Sequence, residues 1–177
     1  MRKFTTTLFI FLCALTAGAQ SNSKGSSNFA NRFSFEVATV GSSTSKNMNQ
    51  IGFKANIGYD IIPQLFVFAQ IEGEKYLYKS GDVKTHFSSN TLGGGLGTIL
   101  FDTKDDKGSM GTIDARFAVG TTVGNPELKA TTYDFSINWK ILRGISPTLG
   151  LGYRHINTRT SGMPKMNVVY GTLGIKF

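Results

Sequence analysis

Hydrophobic residues recur at every second position along most of this chain, from Phe33 to the last residue, Phe177. The alternation comes in segments of about 8 to 13 residues, which polar, Gly-containing or Pro-containing stretches separate. Successive side chains of a β-strand point to opposite faces, whereas a helix buries one face at every third or fourth position. No helical repeat appears after Phe33. The sequence therefore predicts an all-β protein.

Eight segments are predicted to be strands. They are Phe33–Gly41, Ile51–Ile61, Leu65–Tyr78, Thr91–Phe101, Gly111–Thr121, Ala130–Leu142, Pro147–Arg159 and Met166–Phe177. The longer polar stretches between them are predicted to be loops, namely Ser42–Gln50, Tyr78–Asn90, Thr122–Lys129 and Thr160–Lys165. The fourth segment is so rich in glycine that its two faces cannot be assigned from the pattern.

The N-terminus has the three parts of a secretory signal peptide. Arg2 and Lys3 are followed by the apolar run Leu8–Leu15 and then by the small residues Ala17-Gly18-Ala19. We expect residues 1–19 to be removed, residues 20–32 to form a flexible periplasmic lead-in, and residues 33–177 to form one domain. The only cysteine, Cys13, would leave with the signal peptide. The mature protein is therefore expected to have no disulfide bonds.

The mature chain is expected to be basic. Two of the 19 Lys and Arg residues lie in the signal peptide, which leaves 17 bases against 11 acids, a net charge of +6. Excess positive charge favours an anionic partner. For an exported protein, lipid phosphates fit this charge better than nucleic acid does.

The two faces of the predicted strands differ, because one is apolar and the other carries charge. The acids on the polar face are Glu36, Asp60, Glu72, Glu74, Asp114 and Asp134, and the bases are Lys54, Arg116, Lys140, Arg154 and Lys176. In water the apolar face of a barrel would point inward. Three features favour the opposite arrangement: the signal peptide, strand lengths close to the about 9–11 residues that cross a bilayer, and aromatic residues near strand ends. These aromatic residues are Phe33, Tyr59, Tyr133, Trp139, Tyr153 and Phe177.

The last strand ends on Phe177, with Ile175 and Leu173 at the preceding alternate positions. Bacterial outer-membrane β-barrels commonly end in this way. With its signal peptide and eight strands, the chain resembles the small OmpA/OmpX-type outer-membrane barrel proteins. The resemblance implies an eight-stranded antiparallel up-and-down transmembrane β-barrel in the cell outer membrane. It also implies that the barrel assembly machinery reads Phe177, Ile175 and Leu173 as an assembly signal.

Function is predicted only in outline, as a non-enzymatic structural or interaction role at the cell surface. The interior of an eight-stranded barrel is just wide enough to be filled by side chains. A charge-paired interior is therefore expected from Glu36, Lys54, Asp60, Glu72, Glu74, Asp114, Arg116, Asp134, Lys140 and Arg154. Expected partners are outer-membrane lipid, lipopolysaccharide and an unidentified protein. The candidate lipid-phosphate contacts are Lys46, Lys79, Lys84, Lys129, Arg159 and Lys165.

Two alternatives remain open. One is a narrow channel for small solutes. The other is a lipid A deacylase, whose seventh strand would carry a His-x-Ser-Asn pattern; here His155 is followed by Asn157 in place of the serine, and no Glu follows Glu127. Without a nucleophile beside the base, that acyl transfer is not expected. With only His86 and His155 available and no mature Cys, neither a metal nor another cofactor is predicted.

Overall fold

A computed structural model of the chain describes residues 32–80, 82–102, 111–141 and 145–177. Eight strands form one closed antiparallel barrel in sequence order, so the predicted eight-stranded up-and-down barrel is confirmed. The strands are β1 (Phe33–Ser42), β2 (Met48–Ile62), β3 (Leu65–Ser80), β4 (Val83–Asp102), β5 (Thr112–Thr122), β6 (Ala130–Lys140), β7 (Ser146–Thr158) and β8 (Met166–Lys176). The predicted signal peptide, residues 1–19, lies outside the described residues. Residues 20–31 of the predicted lead-in lie outside them as well. In the described part of the chain, no helix is long and apolar enough to cross a membrane.

The barrel closes between its first and last strands. β1 pairs with β8 from Glu36 opposite Lys176 to Ser42 opposite Tyr170. The terminal Phe177 extends this seam, because its N–H donates to the Phe35 carbonyl at 2.7 Å and its carbonyl accepts from the Phe35 N–H at 3.3 Å. Closure pairs the strand edges that an open sheet would leave free.

The side chains are arranged inside out relative to a water-soluble barrel. Large apolar residues cover the outer surface; Phe53 is 66 % exposed, Leu151 65 % and Phe117 51 %. The charged and polar members of the alternation point inward and are buried. The same alternation resolves the glycine-rich β4, in which Leu92 and Leu96 are exposed on the outer surface. Gly93, Gly95 and Gly97 lie on the opposite face, and the ring of Phe66 from β3 occupies the space that a side chain at Gly97 would fill.

The structure contradicts the predicted loop Tyr78–Asn90. β3 and β4 continue as a paired hairpin up to Ser80 opposite Val83, whereas β5 begins to pair with β4 only at Thr91. The outer part of this hairpin therefore extends beyond the β5 wall. It is polar on its exposed surfaces because it lies outside the apolar belt, and this polarity made it resemble a loop in the sequence.

The connections after β1, β3, β5 and β7 share one end of the barrel, here called the loop end. The connections after β2, β4 and β6 share the other end, here called the turn end, together with Phe33 and Phe177. The reversal between β1 and β2 uses left-handed backbone at Lys46 (φ 48°) and Asn47 (φ 64°).

Candidate functional site: the charged interior and the loop end

Arg154, on β7, is the centre of the larger interior charge cluster. Its guanidinium lies 2.7 Å from the carboxylates of both Glu72 and Asp134, and it also pairs with Glu74. The arginine and both glutamates are buried from solvent. The aromatic ring of Tyr170 lies 4.9 Å from the guanidinium carbon. One cation thus holds three carboxylates in the middle of the barrel.

Arg116, on β5, is the centre of a second cluster nearer the turn end. Its Nη1 donates to Glu36 at 2.5 Å and its Nε donates to Asp114 at 2.6 Å. Asn138 and Thr148 donate to the same two carboxylates, each at 3.2 Å. Each carboxylate therefore has both a counterion and a neutral donor, which is what a buried ion pair requires.

Of the remaining charges on the polar face, Lys54 borders the larger cluster, because its ammonium and the Arg154 guanidinium lie over the same Tyr170 ring. Lys54 is buried, with its ammonium 5.5 Å from the centre of the Tyr170 ring. Lys176 lies 5.3 Å from the Phe66 ring. Asp60 and Lys140 are only partly buried near the turn end, and no salt bridge joins either to another described residue. The structure therefore brings most of the predicted charges into two clusters. It leaves Asp60 and Lys140 at the edge of the interior.

An apolar plug fills the loop end of the barrel, where the sequence predicted a polar interior. The cluster consists of Met48, Tyr76, Leu128, Ala130, Ile156, Met166 and Val168, all of them 3 % exposed or less. Leu128 comes from the connection after β5 and is fully buried. A signal for this plug was present in the sequence, because Tyr170 and Val168 make both faces of β8 apolar toward its loop end.

The connection after β5 is fastened to β4 by Glu127. The Ser88 N–H and hydroxyl donate to the Glu127 carboxylate at 2.8 Å and 3.2 Å. These donors lower the pKa of this exposed carboxyl below its ordinary value of 4.5, and the backbone N–H has the largest effect. The contact helps to hold Leu128 in the plug.

The six candidate lipid-phosphate contacts are spread around the loop end. Arg159 is a structural clamp, because its Nη2 donates to Thr121 at 2.8 Å, and to Thr122 and the Ala130 carbonyl at 3.2 Å. Lys46, Lys129 and Lys165 are exposed. Only one pair is brought together face to face, Lys79 and Lys84, which lie opposite each other on β3 and β4.

Lys79 and Lys84 line a groove of about 500 Å³ at the loop end. Its lining residues are Thr44, Asn47, Asn49, Leu77, Tyr78, Lys79, Lys84, Thr85 and His86. The groove gives a location to His86, for which the sequence indicated no role. Because the sequence pattern treated Tyr78–Asn90 as a loop, the opposition of the two lysines could not be foreseen.

His155 lies on the outer surface of β7. Its Nδ1 is 2.6 Å from the side-chain oxygen of Asn167, and its ring lies 6.2 Å from that of Tyr133. The described residues contain no group of three or more His, Cys, Asp or Glu that could hold a metal ion. The contacts of His155 are those of a polar surface residue.

The fold defines the class of this protein as a closed eight-stranded barrel with a polar, charge-paired interior and an apolar outer surface. No known family model and no curated protein matches the sequence. Among solved structures, the chain is similar to the N-terminal β-barrel domain of Pseudomonas aeruginosa OprF, with 12 % identity, a TM-score of 0.44, and coverage of 81 % of this chain and 97 % of that one.

Two further solved structures are similar to a comparable degree. The Yersinia pestis outer membrane protein Ail has 11 % identity and a TM-score of 0.46 over 82 % of this chain and 98 % of that one. Neisserial surface protein A has 18 % identity and a TM-score of 0.45 over 81 % of this chain and 92 % of that one.

Proposed function

We propose that this protein is an integral outer-membrane barrel, closed to solutes, with a non-enzymatic structural or interaction role at the cell surface. The observation that carries the proposal is the inverted distribution of side chains. Residues such as Phe53, Phe117 and Leu151 are exposed on the outside while Arg154 and Glu72 are buried inside. Such an outer surface would aggregate in water, whereas acyl chains would cover it.

The outer surface has the further features of a membrane-spanning wall. The aromatic residues Phe33, Tyr133, Trp139, Tyr153 and Phe177 are 37–49 % exposed on the apolar side of their strands. Aromatic girdles of this kind mark the two interfaces of membrane barrels. Leu173 and Ile175 belong to the closing strand and Phe177 follows it. We propose that the barrel assembly machinery recognises these three residues during insertion.

The contents of the barrel support a closed interior. The Arg154 and Arg116 clusters occupy its middle and turn-end regions, and the plug around Leu128 and Ile156 occupies the loop end. A role in surface interactions therefore falls to the loop end and its groove. Outer-membrane lipid, lipopolysaccharide and an unidentified protein partner are the contacts that we propose there.

A narrow channel is the second candidate, and one observation favours it. Buried side-chain atoms of Gln50, Asn56, Gln70, Ser89 and Thr91 have no hydrogen-bond partner among the described residues. Buried polar groups of this kind usually bind ordered water. A continuous chain of such water molecules through the barrel would allow small solutes or ions to pass.

Membrane insertion and conductance together test the proposal. The mature protein is expected to fractionate with outer membranes, to require detergent for extraction, and to migrate faster on denaturing gels before heating than after. In planar bilayers the same preparation is expected to show no unitary conductance steps. A mature chain that stays dissolved without detergent would contradict the membrane location, and reproducible conductance steps would favour the channel instead.

A further inference from the structure

A basic patch lies on the outward face of the β2–β3–β4 wall, just beyond its apolar part. We define it as Lys75, Lys79, Lys84 and His86. In the strand register Lys79 lies opposite Lys84, Leu77 opposite His86, and Lys75 opposite Ser88. Because alternate residues share a face, all four side chains of the patch project from the same side of the sheet, away from the barrel interior.

The charge of the basic patch comes from its three lysines, Lys75, Lys79 and Lys84. All four residues are exposed, and no salt bridge joins any of them to a described residue. Like charges directly opposite each other on neighbouring strands are destabilising. The nearby acid Glu127 keeps its charge while it accepts hydrogen bonds from Ser88, and it interacts electrostatically with His86. Asp82 lies in the exposed turn of the hairpin. An external anion would remove the repulsion between Lys79 and Lys84.

The height of the patch on the wall indicates what kind of anion it meets. On the outward face of β3, Lys75 lies ten residues after Leu65. At about 3.3 Å per residue and a strand tilt of about 40°, this distance is about 25 Å along the membrane normal, which is the height of the apolar band of a membrane barrel. Lys75 therefore lies at the level of the headgroups, and Lys79 and Lys84 lie about 10 Å farther out.

The surface below the patch can contact acyl chains, and the groove beside it can contact a sugar headgroup. Ile71 and Leu92, two outward positions toward the turn end on the same wall, are 57 % and 48 % exposed. Beside the patch, the groove of about 500 Å³ adds the side chains of Asn47 and Asn49. Its volume is within the range of small-molecule sites, and its amides are suited to hydrogen-bond sugar hydroxyls.

We infer that the basic patch binds the phosphate groups of a phosphorylated glycolipid of the outer leaflet. Its acyl chains lie along Ile71 and Leu92, its phosphates contact Lys75, Lys79 and Lys84, and its sugar lies in the groove near His86. The inference rests on the proposed membrane location, since only there does one molecule meet both the apolar wall and the lysines.

The test compares binding by two double variants of the mature protein in detergent. Lys79→Gln with Lys84→Gln removes the opposed pair, and Lys129→Gln with Lys165→Gln removes the same net charge elsewhere at the loop end. Each protein is titrated with bisphosphorylated lipid A, with enzymatically dephosphorylated lipid A, and with inorganic phosphate. Bound lipid is counted by native mass spectrometry.

We expect the K79Q/K84Q variant to bind bisphosphorylated lipid A about tenfold more weakly than the unaltered protein. The sequence made Lys129 and Lys165 candidate phosphate contacts as well, but the inferred site does not include them. The K129Q/K165Q variant is therefore expected to change affinity less than about twofold, because these exposed charges are not opposed in one site. Dephosphorylated lipid A is expected to bind as weakly to the unaltered protein as the intact lipid does to K79Q/K84Q.

Three results would overturn the inference. They are equal losses in the two double variants, equal binding of the dephosphorylated lipid, and inorganic phosphate that binds as tightly as lipid A does. The faster gel mobility of unheated protein is recorded for the same samples. If that mobility is kept while lipid A shows no preference for the patch, the lipid site fails alone; if it is lost in the unaltered protein, the proposed membrane barrel fails.

Discussion

At the scale of single residues, the charge balance of the interior depends on Arg154. It carries the only guanidinium that contacts Glu72, Glu74 and Asp134 in the described part of the chain. Charges taken out of water are tolerated only when paired and hydrogen-bonded. Arg154 is therefore expected to contribute far more to stability than either partner of an exposed ion pair does.

Replacing Arg154 with Met is expected to destabilise the barrel by about 3–5 kcal/mol, because three buried carboxylates lose their salt-bridge partner and only the more distant Lys54 remains near Glu72 and Asp134. Urea unfolding from phospholipid vesicles measures the change, with the fluorescence of the single tryptophan, Trp139, as the signal. Trp139 faces outward, so its emission reports the loss of the lipid environment.

Two comparisons separate charge from packing in this experiment. Lys129→Met, at an exposed position, is expected to change stability by less than about 0.5 kcal/mol. Adding Glu72→Gln, Glu74→Gln and Asp134→Asn to the R154M variant is expected to recover much of the loss. If the neutralised variant is no more stable than R154M alone, the cost comes from lost packing and not from unpaired charge.

At the scale of strands and connections, the loop end is built from segments that look alike in sequence but differ in structure. In the connection after β5, the Leu128 side chain is buried inside the barrel, and the hydrogen bond between Ser88 and Glu127 holds the connection to β4. The stretch Tyr78–Asn90, equally polar, forms most of a paired hairpin instead. Backbone pairing and one buried leucine, not polarity, distinguish the two.

The contact between Glu127 and Ser88 is expected to weaken as the pH falls. Hydrogen bonds from Ser88 lower the Glu127 pKa in the folded protein. A lowered pKa stabilises the connection above the ordinary carboxyl pKa of 4.5, and this stabilisation is lost as the pH falls through the folded pKa. Protection of the Ser88 amide against hydrogen exchange, measured by NMR in micelles from pH 6 to pH 3, is expected to fall as the pH passes below the ordinary carboxyl pKa and reaches the lowered pKa of Glu127.

The Glu127→Gln variant is the control for this titration. Its amide side chain is close in shape but has no proton to gain, so Ser88 protection is expected to be lower at pH 6 and independent of pH. A drop in protection of the same size in both proteins would assign the pH dependence to another group.

At the scale of the whole molecule, the orientation of the two strand faces indicates whether water or lipid surrounds the barrel. Leu151 and Ile137 lie side by side on the outer wall and are 65 % and 46 % exposed. In water these exposures would be a cost, whereas in a bilayer they are the contact with lipid. A charge added to this wall therefore distinguishes the two environments.

Leu151→Lys is expected to destabilise the barrel in phospholipid vesicles by about 2–4 kcal/mol, because it places a cation near the bilayer midplane. Asn157→Lys, on the same face of β7 but nearer the loop end, is expected to cost at most about 1 kcal/mol. Urea unfolding in vesicles compares them. If L151K is as stable as the unaltered protein, or improves its solubility without detergent, the outer wall does not face lipid.

The alternation of side chains by itself determined much of the fold. It placed all eight strands, assigned Glu72, Asp134 and Arg154 to one face, and put Leu151 on the other. A period of two is a local property of the backbone, so it can be read directly from neighbouring residues. The faces of glycine-rich β4 were the exception, since glycine carries no side chain to alternate.

Only the tertiary structure decided which charges meet and what fills the loop end. Arg154 and Glu72 are 82 positions apart, and Leu128 packs with Met48 and Ile156 from other strands. Such contacts depend on the register of every intervening strand around the closed barrel, which local periodicity does not specify. The opposition of Lys79 and Lys84 depends in the same way on how far the β3–β4 hairpin extends.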